Sequence, residues 1–206
     1  MERRLFSSKL CFRTQHPTRT VNSLYFDTLD LISYRDSIEG GSNRCKKRLR
    51  WYSHLNSDND ATLEFKMKKG HQSWKKIWVK AFRINPLQKS WNDFYKPKKE
   101  EFPSKVILRN FHPTSIVSYD RKYLVSFDNK IRVTIDQNLK FFEQRHGSTP
   151  NLTWNKPFKN IVVIEVKAEL SNESLLQNFF NEIPFSPSRF SKYCESIMPQ
   201  RNNLRY

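Results

Sequence analysis

Three features of the sequence predict an α+β fold that is mainly antiparallel β, with a few short helices. Period-two alternation of apolar and polar residues runs through most of the chain. The apolar bulk is strongly aromatic, with 16 Phe, 8 Tyr and 5 Trp in a composition that is 37% hydrophobic and 28% charged. The 206 residues are enough to bury a real core as one domain, without disulfides or a structural metal. Many strands with few helices point to a barrel or a strongly curved sheet with helices packed outside it.

In chain order, strands are expected near 20–27, 44–53, 61–69, 74–80, 116–126, 130–136 and 160–169. A helix is expected over Thr28 to Ser37, with Thr28 or Asp30 as its cap, and a second over Pro103 to Asn110. Asp128-Asn129 reads as a hairpin turn, so the strands on either side of it should be antiparallel neighbours. A third helix is expected over Ser171 to Glu182. Ser171 or Asn172 caps it, Leu175, Leu176, Phe179 and Phe180 form its apolar stripe, and Pro184 stops it. Residues 85–103 read as a connecting loop, 143–159 as a polar insertion and 200–206 as a C-terminal tail, leaving 1–199 as one domain.

Lys and Arg total 37 against 20 Asp and Glu, a formal net charge of +17. A balance so basic implies a polyanionic partner, either nucleic acid, an anionic membrane surface or phosphates, unless it serves only a soluble basic surface. Cys11, Cys45 and Cys194 are sparse and widely spaced, which points to a reducing compartment and away from thiolate zinc. Ile161-Val162-Val163-Ile164 is the longest apolar run, far too short to span a bilayer, and the start lacks the apolar stretch of a secretory signal. A cytoplasmic protein is expected. With four Gly and no GxxxxGK[ST] loop, a P-loop enzyme is excluded.

Residues two apart in a strand share a face. Arg44, Lys46, Arg48 and Arg50 therefore fall together, opposed by Cys45, Lys47, Leu49 and Trp51. Glu64, Lys66 and Lys68 oppose Leu63, Phe65 and Met67. Lys130, Arg132, Thr134 and Asp136 oppose Ile131, Val133 and Ile135, and Val163, Glu165, Lys167 and Glu169 oppose Val162, Ile164, Val166 and Ala168. Any one of these faces could be the wet side of a half-solvated sheet with cross-strand Glu–Lys pairs. Successive like charges repel, however, and need an anion or a carboxylate to hold them. Arg suits bidentate phosphate contacts, with Lys as a point charge. If the strands close with the charged faces inward, cations line the path of a polyphosphate and a carboxylate such as Glu165 holds a divalent metal. Oxygen ligands without a Cys or His cluster suit Mg²⁺ or Mn²⁺. The aromatics lie mostly on the opposite faces of the strands, so no stable nucleic-acid partner is expected.

In these segments the chain resembles the polyphosphate-polymerase (VTC) domain family of the triphosphate tunnel metalloenzymes. The resemblance is carried in order by Val21-Asn22-Ser23-Leu24-Tyr25-Phe26-Asp27-Thr28, Lys47-Arg48-Leu49-Arg50-Trp51-Tyr52 and Leu63-Glu64-Phe65-Lys66. It continues through Tyr119-Asp120-Arg121-Lys122-Tyr123, Ile131-Arg132-Val133-Thr134-Ile135-Asp136, Val163-Ile164-Glu165-Val166-Lys167 and Arg189-Phe190-Ser191-Lys192-Tyr193. It implies a closed β tunnel that binds ATP and inorganic polyphosphate or triphosphate, with Mn²⁺ or Mg²⁺ as cofactor.

By the same resemblance Arg48, Arg50, Lys66, Arg121, Arg132 and Lys192 are the phosphate-binding, catalytic cations. Tyr119, Arg189, Ser191, Glu64 and Lys167 complete the substrate site, and Glu165 is the metal carboxylate. Tyr25, Phe26 and Ile135 are read as structural, and Trp51 and Trp78 as packing residues. Family members open with a strand carrying Glu-x-Lys and then a helix. About two dozen residues precede Tyr25, so these elements are expected to be shortened or missing, with Glu2 and Arg4 standing in for the pair. The implied activity is polyphosphate polymerase. The same site acting on water would be a triphosphatase, and without turnover it would be a polyphosphate or nucleic-acid binding module. Coupling of synthesis to translocation would need a membrane-protein partner.

Overall fold

The computed structural model describes all residues except 1, 71, 99–107, 157–160, 184–185 and 199–206, together with the side chains of all the rest but Glu2 and Leu170. The expected helix over 103–110 lies largely outside the described residues, as do Pro184 and the tail. What is described is mostly antiparallel strand with a few short helices.

Nine strands are described: β1 Arg13–Asp27, β2 Asn43–Tyr52, β3 Asn59–Lys69, β4 Gln72–Ile84, β5 Tyr95–Pro97, β6 His112–Val125, β7 Ile131–Glu143, β8 Asn155–Lys156 and β9 Val163–Ala168. Their hydrogen-bonded order is β5-β4-β3-β2-β1-β6-β7-β8, with β9 also on β7. Among the described residues this order ends on β5 and β8 and does not return on itself, so the described ladder is open where closure is expected. The helices are α1 Glu2–Phe6, α2 Ile32–Ile38, α3 Trp91–Phe94, α4 Glu173–Glu182 and α5 Lys192–Ile197. No helix among the described residues is long and apolar enough to cross a membrane. All three cysteines are free thiols.

Several strands run longer than alternation alone predicts. β1 begins at Arg13, because the exposed Arg-Thr-Gln-His-Pro-Thr-Arg stretch has no apolar residues to show a period. Glu2 and Arg4, expected to stand in for a strand pair, fall in helix α1. The expected loop over 85–103 contains α3 and β5. At Asp128-Asn129 the expected hairpin forms between neighbouring β6 and β7. Asn129 takes a left-handed φ of 62°, and Ser126 Oγ donates to Asp128 at 2.6 Å and accepts from Ile131 N–H at 3.0 Å.

The chain forms two compact units. The first comprises residues 1–19, 119–139 and 160–190. Its core is Leu5, Phe12, Leu124, Ile131, Val133, Ile135 and Phe179, with Ile164, Val166 and Ala168 of β9 packed against it. These are the apolar faces expected of β7 and β9. α4 adds its stripe, with Phe179 against Phe12 at 5.3 Å between ring centroids. Asn172 stands at its N-cap without a side-chain bond, after a 3₁₀ turn over Leu170–Asn172.

The second unit comprises residues 20–118, 140–159 and 191–206. Its core joins Leu24, Phe26, Leu49, Trp51, Ala61, Leu63, Phe82, Ile84 and Phe94 with Ile116 and Phe142. Trp51 is wholly buried, edge-on to Phe94, and Trp78 packs edge-on to Phe65. Burying side chains of this size contributes about 1.5–3 kcal/mol each. Phe82 has no exposed surface, so Phe82→Ala should cost about 3–5 kcal/mol, read as a lowered midpoint in urea denaturation.

Candidate phosphate-binding site

Register decides which cations meet in the second unit. β2 and β3 pair Arg44 with Lys68, Lys46 with Lys66, Arg48 with Glu64 and Arg50 with Thr62. β3 and β4 pair Lys68 with Ser73, Lys66 with Lys75 and Glu64 with Ile77. Directly opposed residues of an antiparallel pair share a face. Over these rows Arg44, Lys46, Arg48, Arg50, Lys66, Lys68 and Lys75 share one face with a single carboxylate, Glu64. Lys46, Lys66 and Lys75 stand abreast across three strands, so their like charges repel unless a carboxylate or an anion offsets them.

Glu64 is only 5% exposed. It accepts from Arg48 Nε at 2.8 Å and Nη2 at 2.6 Å, lies 3.8 Å from Arg50 Nη1, and accepts from Lys75 at 3.2 Å. Burial alone would raise its pKa. The charges of Arg48 and Arg50, the hydrogen bond from Arg48 and the charge of Lys75 together push it down to about 2.

Tyr25, read from sequence as structural, belongs to this group. Its phenol accepts from Arg48 Nη1 at 3.1 Å and its ring lies 5.9 Å below the guanidinium. Burial opposes ionisation of that phenol, but Arg48, Arg50 and Lys192 bring its pKa below the usual tyrosine value. Tyr193 stacks on Tyr25 at 5.0 Å and donates to Asp27 Oδ2. Asp27 also accepts from the backbone N–H groups of Thr28, Ser33 and Tyr34 at 2.8, 2.9 and 3.0 Å. One buried carboxylate thus tethers the start of α2 and the first turn of α5. The expected caps of α2 act differently: Leu31 occupies the N-cap, and Thr28 Oγ1 accepts from Ile32 N–H at 3.1 Å. Ser191 caps α5, accepting from Cys194 N–H at 3.3 Å and from Lys46 Nζ at 2.9 Å. Lys66 is exposed and Lys192 half-buried.

In the first unit β7 and β9 pair Arg132 with Lys167, Thr134 with Glu165 and Asp136 with Val163. Arg121 is clamped by the fully buried Asp136, Nε to Oδ1 at 2.6 Å and Nη2 to Oδ2 at 2.8 Å. Its guanidinium lies 5.3 Å from the centre of the buried Tyr119 ring and 3.9 Å from Glu165 Oε2. Burial opposes the guanidinium's charge, but Asp136, Tyr119 and Glu165 keep it protonated. Glu165 also accepts from Lys167 at 3.0 Å, and its side chain is 41% exposed. Thr134 Oγ1, across the ladder from Glu165, is buried without a hydrogen-bond partner. Arg132 and Arg189 are exposed.

Among the described residues no group of three or more His, Cys, Asp or Glu gathers as a metal site. Glu165 is a single accessible carboxylate. That fits Mg²⁺ or Mn²⁺, which take one or two carboxylates and complete their shell with water and phosphate oxygens.

A model of the VTC domain matches residues 3–199. The chain belongs to the VTC domain family. That family is the polyphosphate polymerase domain family, with a triphosphate-tunnel type of fold, and ties this VTC chain to polyphosphate. No curated protein matches it.

Sequence reasoning found the faces of the VTC chain's strands, Asp136 among them, but missed Tyr25, Asp27, Lys75 and Tyr193 as members of the two groups and the clamp of Asp136 on Arg121. Lys75 was countable: the β3–β4 hairpin closes on Lys69 opposite Gln72, around Gly70 with φ +57°, which places Lys66 opposite Lys75. Asp27 and Tyr193 are 166 positions apart, beyond any local signal.

A carboxylate with a depressed folded-state pKa stabilises above its unfolded value. The Glu64 contribution is therefore full above about pH 5 and is lost as pH falls towards 2. Glu64→Gln should lower stability at neutral pH and flatten the acid limb of a stability profile measured by urea denaturation at stepped pH.

Proposed function

We propose that this VTC-domain chain is a metal-dependent polyphosphate polymerase that transfers the γ-phosphate of ATP to a growing polyphosphate chain in a basic tunnel. The observation that carries this reading is the face on which seven cations surround one carboxylate. Such a face leaves surplus positive charge with the spacing of adjacent strands, about 4.8 Å, suited to a linear polyanion. Phosphoryl transfer asks the protein mainly for positioning and charge neutralisation.

In this reading Arg48, Arg50, Lys66 and Lys192 contact phosphate oxygens, with Ser191 beside them. Arg121, Arg132, Lys167, Arg189 and Tyr119 supply the remaining contacts. Glu64 does not touch substrate. Its oxygens engage Arg48, Arg50 and Lys75 and hold them in place. Asp136 does the same for Arg121. Glu165 would hold the Mn²⁺ or Mg²⁺, which would supply neutralisation of the phosphate charge. The terminal oxygen of the chain forms a new bond to the γ-phosphorus while the bond from that phosphorus to the β–γ bridging oxygen breaks, and ADP leaves. In this reading the reaction takes place in the cytoplasm, and coupling of synthesis to translocation would need a membrane-protein partner.

Incubation with ATP and Mn²⁺ should give ADP and a phosphatase-sensitive polymer. Free phosphate without polymer would identify water as the acceptor, and no turnover across several metals and primers would reject both enzymatic readings. Glu165→Ala should abolish metal-dependent turnover with an unchanged denaturation midpoint. Lys66→Ala, at an exposed position, should weaken polyphosphate binding roughly tenfold, measured by calorimetry, without loss of stability.

A further inference from the structure

The opposite face of β2, β3 and β4 has a different character. Its rows are Leu49–Leu63–Trp78, Lys47–Phe65–Lys76 and Cys45–Met67–Trp74. Leu49 and Leu63 are fully buried, but towards the β3–β4 turn the face emerges, and Trp74 is 47% exposed. Along β4 the order on this face is Trp74, Lys76, Trp78. Lys76 Nζ stands 4.9 Å from the Trp78 ring centre, and Lys47 Nζ stands 5.2 Å from Phe65 and 3.2 Å from Phe111. Trp74, Cys45 and Met67 floor a shallow depression of about 390 Å³, rimmed by Arg44, Lys68 and Lys69, with Asp36 its sole carboxylate. Among the described residues Arg44, Lys68, Lys69 and Lys76 take part in no ion pair.

We infer that this outer face is a binding surface for single-stranded nucleic acid, centred on Trp74, meeting Arg44 and Lys68 of the Glu64 face at the hairpin end and requiring no polymerase activity. A base has a π-face that stacks on an exposed indole whatever its sequence, while flanking cations take the phosphates. Trp74 supplies the platform, Lys69 and Lys76 on its own face supply the charge, and Arg44 and Lys68 reach the rim from the Glu64 face. An anionic bilayer suits the surface less well. Ile77 and Val79, the other exposed apolar residues of β4, alternate to its opposite face, leaving no apolar ridge beside Trp74. Trp74 lies, as expected of the strand aromatics, on the face opposite the cations, but it emerges into solvent because the β3–β4 turn extends beyond the core that covers the strands' inner portions.

Fluorescence anisotropy of a labelled 15-nucleotide oligothymidine, against an abasic phosphodiester strand of equal length, tests this. The wild-type chain should prefer the strand with bases at least fivefold. Trp74→Ala should erase the preference, and Trp74→Phe should retain it. Lys69→Glu with Lys76→Glu should weaken both strands and flatten the salt dependence. Equal binding of the two strands by the wild type would overturn the proposal, as would a preference that survives Trp74→Ala. So would co-sedimentation with phosphatidylserine vesicles that Trp74→Ala abolishes while leaving oligothymidine binding unchanged.

Discussion

Glu64 is the constraint on which the β2–β4 face depends. Like charges in adjacent rows repel, and in a half-buried setting water screens that repulsion less than at the surface. One carboxylate taking two hydrogen bonds from Arg48, one from Lys75 and a close approach from Arg50 lets these cations share a face. Its compensation is local: Arg44, Lys46, Lys66 and Lys68 lie in the flanking rows, beyond the contacts that Glu64 makes. The face is thus braced by a carboxylate at its centre and carries an excess of cations in the rows around it.

The same device appears in the first unit with different residues. Asp136 is wholly buried and occupied at both oxygens by Arg121, so the guanidinium is fixed in plane above Tyr119. Glu165, across the ladder from Thr134, remains partly exposed. Burial separates the two carboxylates: the one that water cannot reach orients Arg121, and the partly exposed one pairs with Lys167 at 3.0 Å and lies 3.9 Å from Arg121. Breaking a buried pair by removing one partner leaves an uncompensated charge, so the residues that orient the cations also bear on stability.

Much of this was legible from alternation. The apolar sets Ile131, Val133, Ile135 and Ile164, Val166, Ala168 meet in the core, and the charged sets Arg132, Thr134, Asp136 and Glu165, Lys167 meet across the ladder, as period two requires. The Asp128-Asn129 turn was equally local. Alternation failed where a strand carries no apolar residue, as in Arg13 to Arg19, and where the covering layer runs out, as at Trp74. Tyr25 was misjudged because an aromatic in a strand ordinarily packs, and only the register opposite Arg48 shows that its phenol is held by a guanidinium.

By itself, then, the sequence determined the strand faces and the surplus of cations on them, which follow from residue order within single segments, and membership of the VTC family, which follows from seven such segments taken in order. Tertiary structure decided which cations are braced, by which carboxylates, and which aromatics stay in solvent. Those outcomes depend on register between strands and on contacts such as Tyr193 to Asp27, which join residues far apart in the chain. Pairwise geometry of that kind has no signature in a local window, since the same alternating strand can be set against its neighbour in either of two registers with opposite faces buried.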